Sequence, residues 1–164
     1  MEKKKKRNIA DSNISKSGQF CCITATPDET RKLGEKFAKK LKSGDIVFLK
    51  GDLGSGKTTF TQGIVKAFGN KSFAGSSSFI LVNEYEAGKC KLFHIDLYRL
   101  NSVSVRDLGI EEYLFNGNIA VIEWPDRLLD FQNDNTWSIE IEAEENVRKI
   151  KIERKRVKSE KGKK

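Results

Sequence analysis

One glycine-rich segment restricts the fold of this chain more than any other part of the sequence. Residues 51–58 read Gly-Asp-Leu-Gly-Ser-Gly-Lys-Thr and match the phosphate-loop pattern G-x-x-x-x-G-K-[ST] in full. The apolar run 46–49 precedes the loop directly, and residues 57–68 place apolar side chains mainly at helical spacing. A strand, a glycine turn and a helix in this order form a cradle of backbone amides that binds phosphate. The chain is therefore predicted to bind a nucleoside triphosphate.

The residues of this loop have separate roles in the predicted site. The backbone amides would surround the phosphates, the ammonium group of Lys57 would pair with the outer phosphates, and the hydroxyl of Thr58 would bind Mg²⁺. The loop residues predicted to bind nucleotide are Leu53, Gly54, Ser55, Gly56, Lys57, Thr58 and Thr59. No guanine-reading N-K-x-D segment is present, but the residues alone leave the choice between ATP and GTP open.

Length and composition favour a single folded domain. A chain of 164 residues has room for one core of ordinary size, which we place at residues 19–152. Residues 1–18 are polar and basic and residues 153–164 are basic, so we expect both segments to be disordered tails. No apolar run approaches the roughly 20 residues that span a bilayer, and no apolar stretch follows the basic N-terminus. These features predict a cytoplasmic protein without membrane contact.

The cysteines give no sign of a disulfide framework or a zinc site. Their number is odd, and Cys21, Cys22 and Cys90 contain no C-x-x-C spacing. We therefore expect three reduced cysteines that pack in the core.

The positive charge of the chain is concentrated at its two ends. The net charge is +8, yet residues 1–7 hold five basic residues and one acidic residue, and residues 148–164 hold ten and two. The part between them is mildly acidic. Basic tails attract RNA by counterion release, but without aromatic residues after Trp137 they have no platform on which bases could stack. We favour solvated tails, with nonspecific attraction of tRNA as the alternative.

Apolar patterning predicts an α/β fold of the P-loop NTPase type, in which helices flank a mixed β-sheet. The strongest helix start lies at Thr26 and Pro27, where Thr26 would cap the helix and Pro27 would occupy its first turn. Alternating apolar and charged residues near the end of the chain predict an antiparallel C-terminal edge. The predicted strands are 20–24, 46–49, 79–85, 90–95, 119–122, 137–142 and 147–152. Two predicted helices begin at residues 27 and 57, and a third, short helix lies within residues 105–114.

Two acidic residues directly follow predicted strands. Asp96 follows the run 92–95, and Glu123 follows the run 119–122. Because ligands in open α/β sheets bind at the carboxyl ends of the strands, we expect both carboxylates near the nucleotide. Asp96 would bind Mg²⁺, and Glu123 would bind the metal or polarise an attacking water. His94, the only histidine, is predicted to be a packed and hydrogen-bonded residue behind them.

Five short segments occur in an order that carries a family resemblance. They are the phosphate loop 51–58, the serine segment 76–79 leading to 82–85, and the segments 94–100, 108–113 and 123–125. This combination resembles the bacterial family of tRNA threonylcarbamoyladenosine biosynthesis ATPases, TsaE (formerly YjeE). The resemblance covers about residues 20–152, and the ordered combination is far more specific than a phosphate loop alone.

The resemblance implies an ATPase that uses ATP and Mg²⁺ and acts with a TsaD-like transferase and a TsaB-like partner. Its task would be to support threonylcarbamoyl transfer to adenosine 37 of tRNAs that read codons beginning with A, while the partners carry out the carbamoyl chemistry. The implied catalytic residues are Lys57, Asp96, Glu123 and Trp124, the implied metal ligands are Thr58, Asp96 and Glu123, and Ser78 and Arg148 join the nucleotide-binding residues. For Arg148, an ordinary exposed arginine on an edge strand is an equal alternative.

Two segments depart from the pattern of the family. Ser76-Ser77-Ser78 stands where the family usually reads Ser-Pro-Thr, and we expect the loss of proline to loosen this segment when no nucleotide is bound. Residues 102–106 lack the acidic pair that usually follows Tyr-Arg-Leu, which affects a partner-facing surface more than the nucleotide site.

Two other functions stay open at this point. A small-molecule kinase would share the loop and the strand-end acid, but Arg99, Arg106 and Arg127 are scattered and form no evident lid segment. An RNA-binding assembly protein would use its basic tails, with the nucleotide serving only to order the fold.

Overall fold

The computed structural model describes residues 19–73, 82–101, 109–128 and 136–155. Within these residues, helices and strands alternate along the first half of the chain, and the described part ends in a long hairpin. The elements are β1 (Gln19–Thr24), α1 (Pro27–Ala38), β2 (Ile46–Lys50), α2 (Lys57–Ala67), β3 (Val82–Ala87), β4 (Cys90–Asp96), α3 (Glu111–Phe115), β5 (Ile119–Glu123), a 3-10 turn (Pro125–Arg127), β6 (Thr136–Glu144) and β7 (Val147–Lys155).

The strands form one mixed sheet with the order β1-β7-β6-β2-β5-β4-β3. The four central strands β6, β2, β5 and β4 run parallel, and the outer strands pair antiparallel. The phosphate-loop strand β2 therefore lies at the centre, with β5 on one side and β6 on the other. The predicted α/β fold with a mixed sheet is confirmed, as is the antiparallel C-terminal edge. This edge is one strand wider than expected, because β1 pairs on the outside of β7.

Side chains on the two faces of the sheet form two apolar clusters. Val47 and Leu49 of β2 contribute to the cluster that packs under α1 and α2, whereas Ile46 and Phe48 contribute to the second cluster. Leu114 of the short helix α3 belongs to this second cluster. Strand β2 is thus buried on both faces, which explains its unbroken apolar sequence.

Helix α1 starts and packs as its sequence predicts. The side chain of Thr26 accepts a hydrogen bond from the backbone N–H of Glu29 at 3.1 Å, and Pro27 occupies the first turn. Where α1 crosses α2, two glycines let the backbones approach closely. A Cβ atom on Gly34 would lie 2.3 Å from the carbonyl oxygen of Phe60, and one on Gly63 would lie 2.0 Å from that of Arg31. This close crossing fixes α2, and with it the phosphate loop, against the rest of the fold.

The structure changes several element boundaries. The predicted domain boundary at residue 152 assigned residues 153–155 to a tail. Strand β7 continues to Lys155, so these residues belong to the sheet. Strand β3 is Val82–Ala87, and residues 79–81 of the predicted strand lie outside the described residues. Of the predicted helix in 105–114, the described part shows only α3, which begins at Glu111.

Two further expectations concern the cysteines and the membrane. Cys21 is exposed, and Cys22 and Cys90 are half-buried, so the expectation of three core cysteines is wrong for Cys21. None of the helices in the described residues combines the length and the apolar character that crossing a membrane requires. The predicted tail 1–18 lies outside the described residues, and so do residues 156–164 of the predicted tail 153–164.

Candidate functional site

The phosphate loop connects β2 to α2 through backbone that only glycine adopts readily. Gly54 and Gly56 have φ angles of 76° and 112°, in the left-handed region. Because Gly56 occupies the N-cap position of α2, no side chain bonds to the N–H groups of the first helical turn. These unpaired donors and the positive end of the helix dipole face the loop. The geometry is that of an anion site, and a side chain at Gly56 would also meet Arg148, with its Nε atom 2.9 Å from the added Cβ.

Lys57, the first residue of α2, is buried and folded back onto its own loop. Its Nζ atom donates hydrogen bonds to the carbonyl oxygens of Gly51 and Asp52, both at 2.7 Å, and lies 4.3 Å from the centre of the Trp124 ring. Burial lowers the pKa of Lys57, and the negative charges of Glu123, Asp96 and Asp52 oppose this shift. The ammonium group therefore sits in a site that water solvates poorly and that provides it with acceptors.

Glu123 is the central acceptor of the site. It lies at the end of β5 and is 2% exposed. One carboxylate oxygen, Oε2, lies 3.1 Å from the hydroxyl oxygen of Thr58, and the other, Oε1, lies 2.9 Å from Nε2 of His94. Both carboxylate oxygens are thus held by side chains from two different elements, α2 and β4, and the prediction that His94 is packed and hydrogen-bonded is confirmed.

Asp96 lies at the end of β4, in register with Glu123 on the neighbouring parallel strand. Its Oδ1 atom accepts a hydrogen bond from the backbone N–H of Tyr98 at 3.0 Å. Burial raises the pKa of Asp96, and this effect is larger than the opposing effect of the Tyr98 N–H bond; the nearby Glu123 carboxylate raises it further. Two acidic side chains thus end adjacent parallel strands, and one of them, Glu123, contacts Thr58.

Trp124 closes one side of the site through an unusual backbone conformation. Its φ and ψ angles are 61° and 51°, in the left-handed region, which a large side chain rarely adopts. The backbone N–H donates to the carbonyl oxygen of Leu49 at 3.3 Å, and Pro125 begins the 3-10 turn that follows. The indole lies over Lys57 and contacts the ring of Tyr98, with ring centres 5.0 Å apart. Strained residues of this kind occur at functional sites, where the surrounding structure holds them.

Arg148 reaches the phosphate loop from β7. Its Nε atom donates to the carbonyl oxygen of Ser55 at 3.0 Å. The side chain therefore packs against the loop backbone at Ser55 and Gly56, and it is not an ordinary exposed arginine on an edge strand.

The described residues thus bring together most of the predicted site. Leu53 lies at the exposed rim with 71% of its surface accessible, and Thr59 lies in the first turn of α2. Ser78 lies outside the described residues. Tyr98 belongs to the site but was not predicted from the sequence. Its position two residues after the strand-end acid Asp96 is a signal that could have indicated it.

The oxygen ligands that the site offers fit Mg²⁺ bound together with a nucleotide better than a metal ion held by the protein alone. Among the described residues, no cluster of three or more His, Cys, Asp or Glu side chains could hold a metal ion. Mg²⁺ is commonly held by one or two carboxylates together with substrate phosphates, and the hydroxyl of Thr58 with Glu123 and Asp96 provides such a partial set.

Comparison with known proteins identifies the same combination of elements elsewhere. Residues 24–152 match the sequence profile of the family described as threonylcarbamoyl adenosine biosynthesis protein TsaE. The chain is 44% identical over 135 residues to the tRNA threonylcarbamoyladenosine biosynthesis protein TsaE of Aquifex aeolicus, which covers 81% of this chain and 95% of that protein. A protein of the same name from Bacillus subtilis is 39% identical over 101 residues, which cover 62% of this chain and 63% of that protein.

A solved structure shows the same arrangement in three dimensions. The crystal structure of YdiB from Bacillus subtilis superimposes with a TM-score of 0.69 at 31% sequence identity, and the match covers 82% of this chain and 84% of that one.

Proposed function

Because this chain belongs to the TsaE family of threonylcarbamoyl adenosine biosynthesis proteins, we propose that it is an ATPase that acts in the formation of threonylcarbamoyladenosine in tRNA. The convergence of Lys57, Thr58 and Glu123 on one phosphate loop carries the proposal of ATP hydrolysis. The modified base would be adenosine 37 of tRNAs that read codons beginning with A. The partners would be a TsaD-like transferase and a TsaB-like protein.

Lys57 would bind the outer phosphates after it leaves its own loop. In the structure, its ammonium group uses hydrogen bonds to the carbonyl oxygens of Gly51 and Asp52. An ammonium group has three donors, and phosphate oxygens are stronger acceptors than neutral carbonyls because they carry charge. A bound triphosphate would therefore compete well for this side chain, and its negative charge would also oppose the lowering of the Lys57 pKa by burial.

Asp96 and Glu123 would help to bind Mg²⁺, and Glu123 would also accept a proton from the attacking water. Thr58, Asp96 and Glu123 are the residues that would hold Mg²⁺, which neutralises charge that develops on the phosphates when it is bound. Glu123 is held at both carboxylate oxygens, so its direction is fixed before substrate arrives. Such fixed orientation is what an acceptor of a proton from an attacking water requires.

Two variants test the assignment. Lys57→Ala should weaken ATP binding by at least about tenfold because it removes a charge-assisted contact worth about 1.5–3 kcal/mol. Glu123→Gln should leave nucleotide affinity without Mg²⁺ nearly unchanged and lower turnover by about 100-fold. Glutamine is preferred over alanine here because it keeps the size of the side chain and its carbonyl oxygen can still accept from one of the two donors, His94 or Thr58.

The measurement is release of inorganic phosphate, with nucleotide affinity measured in parallel by calorimetry. Lys66→Ala is the matched control, because Lys66 lies on the same helix but is exposed and pairs with Glu35 at 2.8 Å. Normal hydrolysis by both site variants would contradict the assigned site. Transfer of phosphate to a metabolite in place of release would identify a kinase instead.

The proposed partnership is tested separately. Co-purification of the chain with the two partner proteins should depend on ATP, and the modified adenosine should form over repeated rounds only when the chain is present. Equal, repeated modification without the chain would contradict this part of the proposal.

A further inference from the structure

His94 is a buried polar residue whose position next to Glu123 has a consequence for the metal site. We propose that His94 is a positioning residue: it fixes the carboxylate of Glu123 so that this group takes the hydroxyl hydrogen of Thr58 and leaves the Thr58 oxygen free for a cation. The inference rests on the proposed magnesium-dependent ATPase function and concerns how its metal ligand is prepared.

The geometry places the three groups in one hydrogen-bonded chain. Nε2 of His94 lies 2.9 Å from Oε1 of Glu123, and Oε2 of Glu123 lies 3.1 Å from the hydroxyl oxygen of Thr58. His94 is 1% exposed and Glu123 is 2% exposed, so water does not compete for the bond between them, whereas Thr58 is half-buried. Because an ionised carboxylate only accepts, the ring hydrogen is on Nε2, and the hydroxyl of Thr58 donates.

The contacts of the imidazole ring indicate that its one hydrogen bond within the described part of the chain is the bond to Glu123. The other ring nitrogen, Nδ1, is buried and has no hydrogen-bond partner among the residues that the structure describes. The ring packs at 5.5 Å from Phe73, which stacks on Tyr85. An aromatic side chain without nitrogen would satisfy these packing contacts and leave no buried acceptor without a partner. The one polar interaction that requires histidine is therefore the bond to Glu123.

The direction of the Thr58 hydroxyl determines whether it can bind a cation. A hydroxyl has one hydrogen and two lone pairs, and only the lone pairs bind Mg²⁺. When Glu123 accepts the hydrogen, both lone pairs remain available. A carboxylate released from His94 could rotate away, and the hydrogen of Thr58 would then no longer be held in one direction.

Two amide substitutions separate positioning from packing. In His94→Gln the side-chain amide reaches about as far as Nε2, so it can still donate to Glu123, whereas the shorter amide of His94→Asn ends near the position of Nδ1. We expect His94→Gln to keep the Mg²⁺-dependent gain in ADP affinity within about threefold of the parent. His94→Asn should lose about tenfold of that gain, one factor of ten being about 1.4 kcal/mol. ADP affinity without Mg²⁺ should be the same in both.

The control and the double variant complete the test. Leu92→Val changes the core on the same face of the same strand, so it should lower thermal stability without changing the Mg²⁺ response. In the Glu123→Gln background, His94→Asn should have little further effect, because its effect passes through Glu123. The proposal would be overturned if His94→Asn lowered the Mg²⁺-dependent gain in ADP affinity as much in the Glu123→Gln background as in the parent. It would also be overturned if the gain of His94→Asn alone lay within twofold of that of the parent. A parent that binds Mg²⁺-ADP but releases no phosphate from ATP would contradict the ATPase function alone.

Discussion

Lys57 and Asp96 are charged groups whose ionised forms the fold makes less favourable. Burial lowers the pKa of Lys57 and raises that of Asp96. A raised pKa in the folded protein means that the fold binds a proton at Asp96 more readily than the unfolded chain does. Its stabilising contribution is therefore complete below the unfolded pKa and is lost as the pH rises through the folded pKa. The site thus costs stability at neutral pH, as is common for functional residues.

Asp96→Asn should therefore stabilise the protein at about pH 7, by about 0.5–2 kcal/mol. The substitution removes a charge that burial disfavours and keeps an oxygen for the N–H of Tyr98. The gain should shrink as the pH falls through the folded pKa and should vanish below the ordinary pKa of aspartate, about 3.9, because Asp96 is then neutral in both states. Urea unfolding at several pH values measures the effect, with the exposed Asp126→Asn as control. A loss of stability at neutral pH would contradict this account of Asp96.

Arg148→Met should weaken nucleotide binding by about tenfold without unfolding the protein. The change removes the donor to the carbonyl oxygen of Ser55 and with it a contact that holds the phosphate loop. Calorimetry with ADP measures the effect. Lys149→Met is the matched control, because Lys149 is the next residue on β7 and pairs on the surface with Glu144. Equal affinities of the two variants would show that Arg148 does not support the loop.

At the scale of elements, the site depends on how closely α2 approaches α1. The two helices meet at Gly34 and Gly63, where no side chain separates the backbones. The crossing fixes the axis of α2, and the first turn of this helix contributes Lys57 and Thr58 to the site. A change at the crossing therefore acts on the nucleotide site from a distance along the helix.

Gly63→Ala should destabilise the protein by about 3 kcal/mol or more. Overpacking usually costs about 1–3 kcal/mol, and here the added Cβ would lie 2.0 Å from a backbone oxygen, which cannot move alone. Thermal or urea unfolding measures the change, and Gln62→Ala on the neighbouring, less buried position is the control. A variant as stable as the control would mean that the helices can separate at little cost.

The elements that were predictable are those whose signals are local. The strand, loop and helix around Lys57 follow from a continuous stretch of sequence, and so does the cap at Thr26. The pairing of β1 with β7 joins residues such as Cys22 and Ile150, which are remote in sequence, so no local pattern indicates it. The position of Trp124 over Lys57 depends on a left-handed backbone angle, for which the residue type gives no signal. The position of Tyr98 beside a strand-end acid places it near the site, but its ring contact with Trp124 arises only in the folded protein.

At the scale of the whole molecule, the phosphate loop lies at one end of the sheet, and Gln19 and Lys155, where the described part of the chain begins and ends, lie at the other. The phosphate loop follows the carboxyl end of β2, whereas β1 begins and β7 ends beside the start of β2 and β6. The basic segments 1–7 and 156–164 lie outside the described residues, so the question of whether they attract polyanions is one for experiment.

Removal of residues 1–7 and 156–164 should leave thermal stability and ATP hydrolysis unchanged. Lys155 is retained because β7 extends to it, and cutting at 152 would remove paired strand residues. If the basic ends attract tRNA, the full chain should bind it with an affinity that falls steeply with salt, and the shortened chain should lose this dependence. Filter binding across salt concentrations measures the effect. A flat salt response of the full chain would contradict a role for these ends in RNA binding.

The pairing of β1 with β7 also makes a circular permutation of the chain feasible. Gln19, the first described residue, is in register with Glu153, two residues before Lys155, where the described part of the chain ends. A short polar linker could therefore connect Lys155 with Gln19, and new termini could be opened at the exposed Gly88 turn between β3 and β4. Such a circular permutant would keep every strand pair of the sheet while moving both termini to the opposite sheet edge.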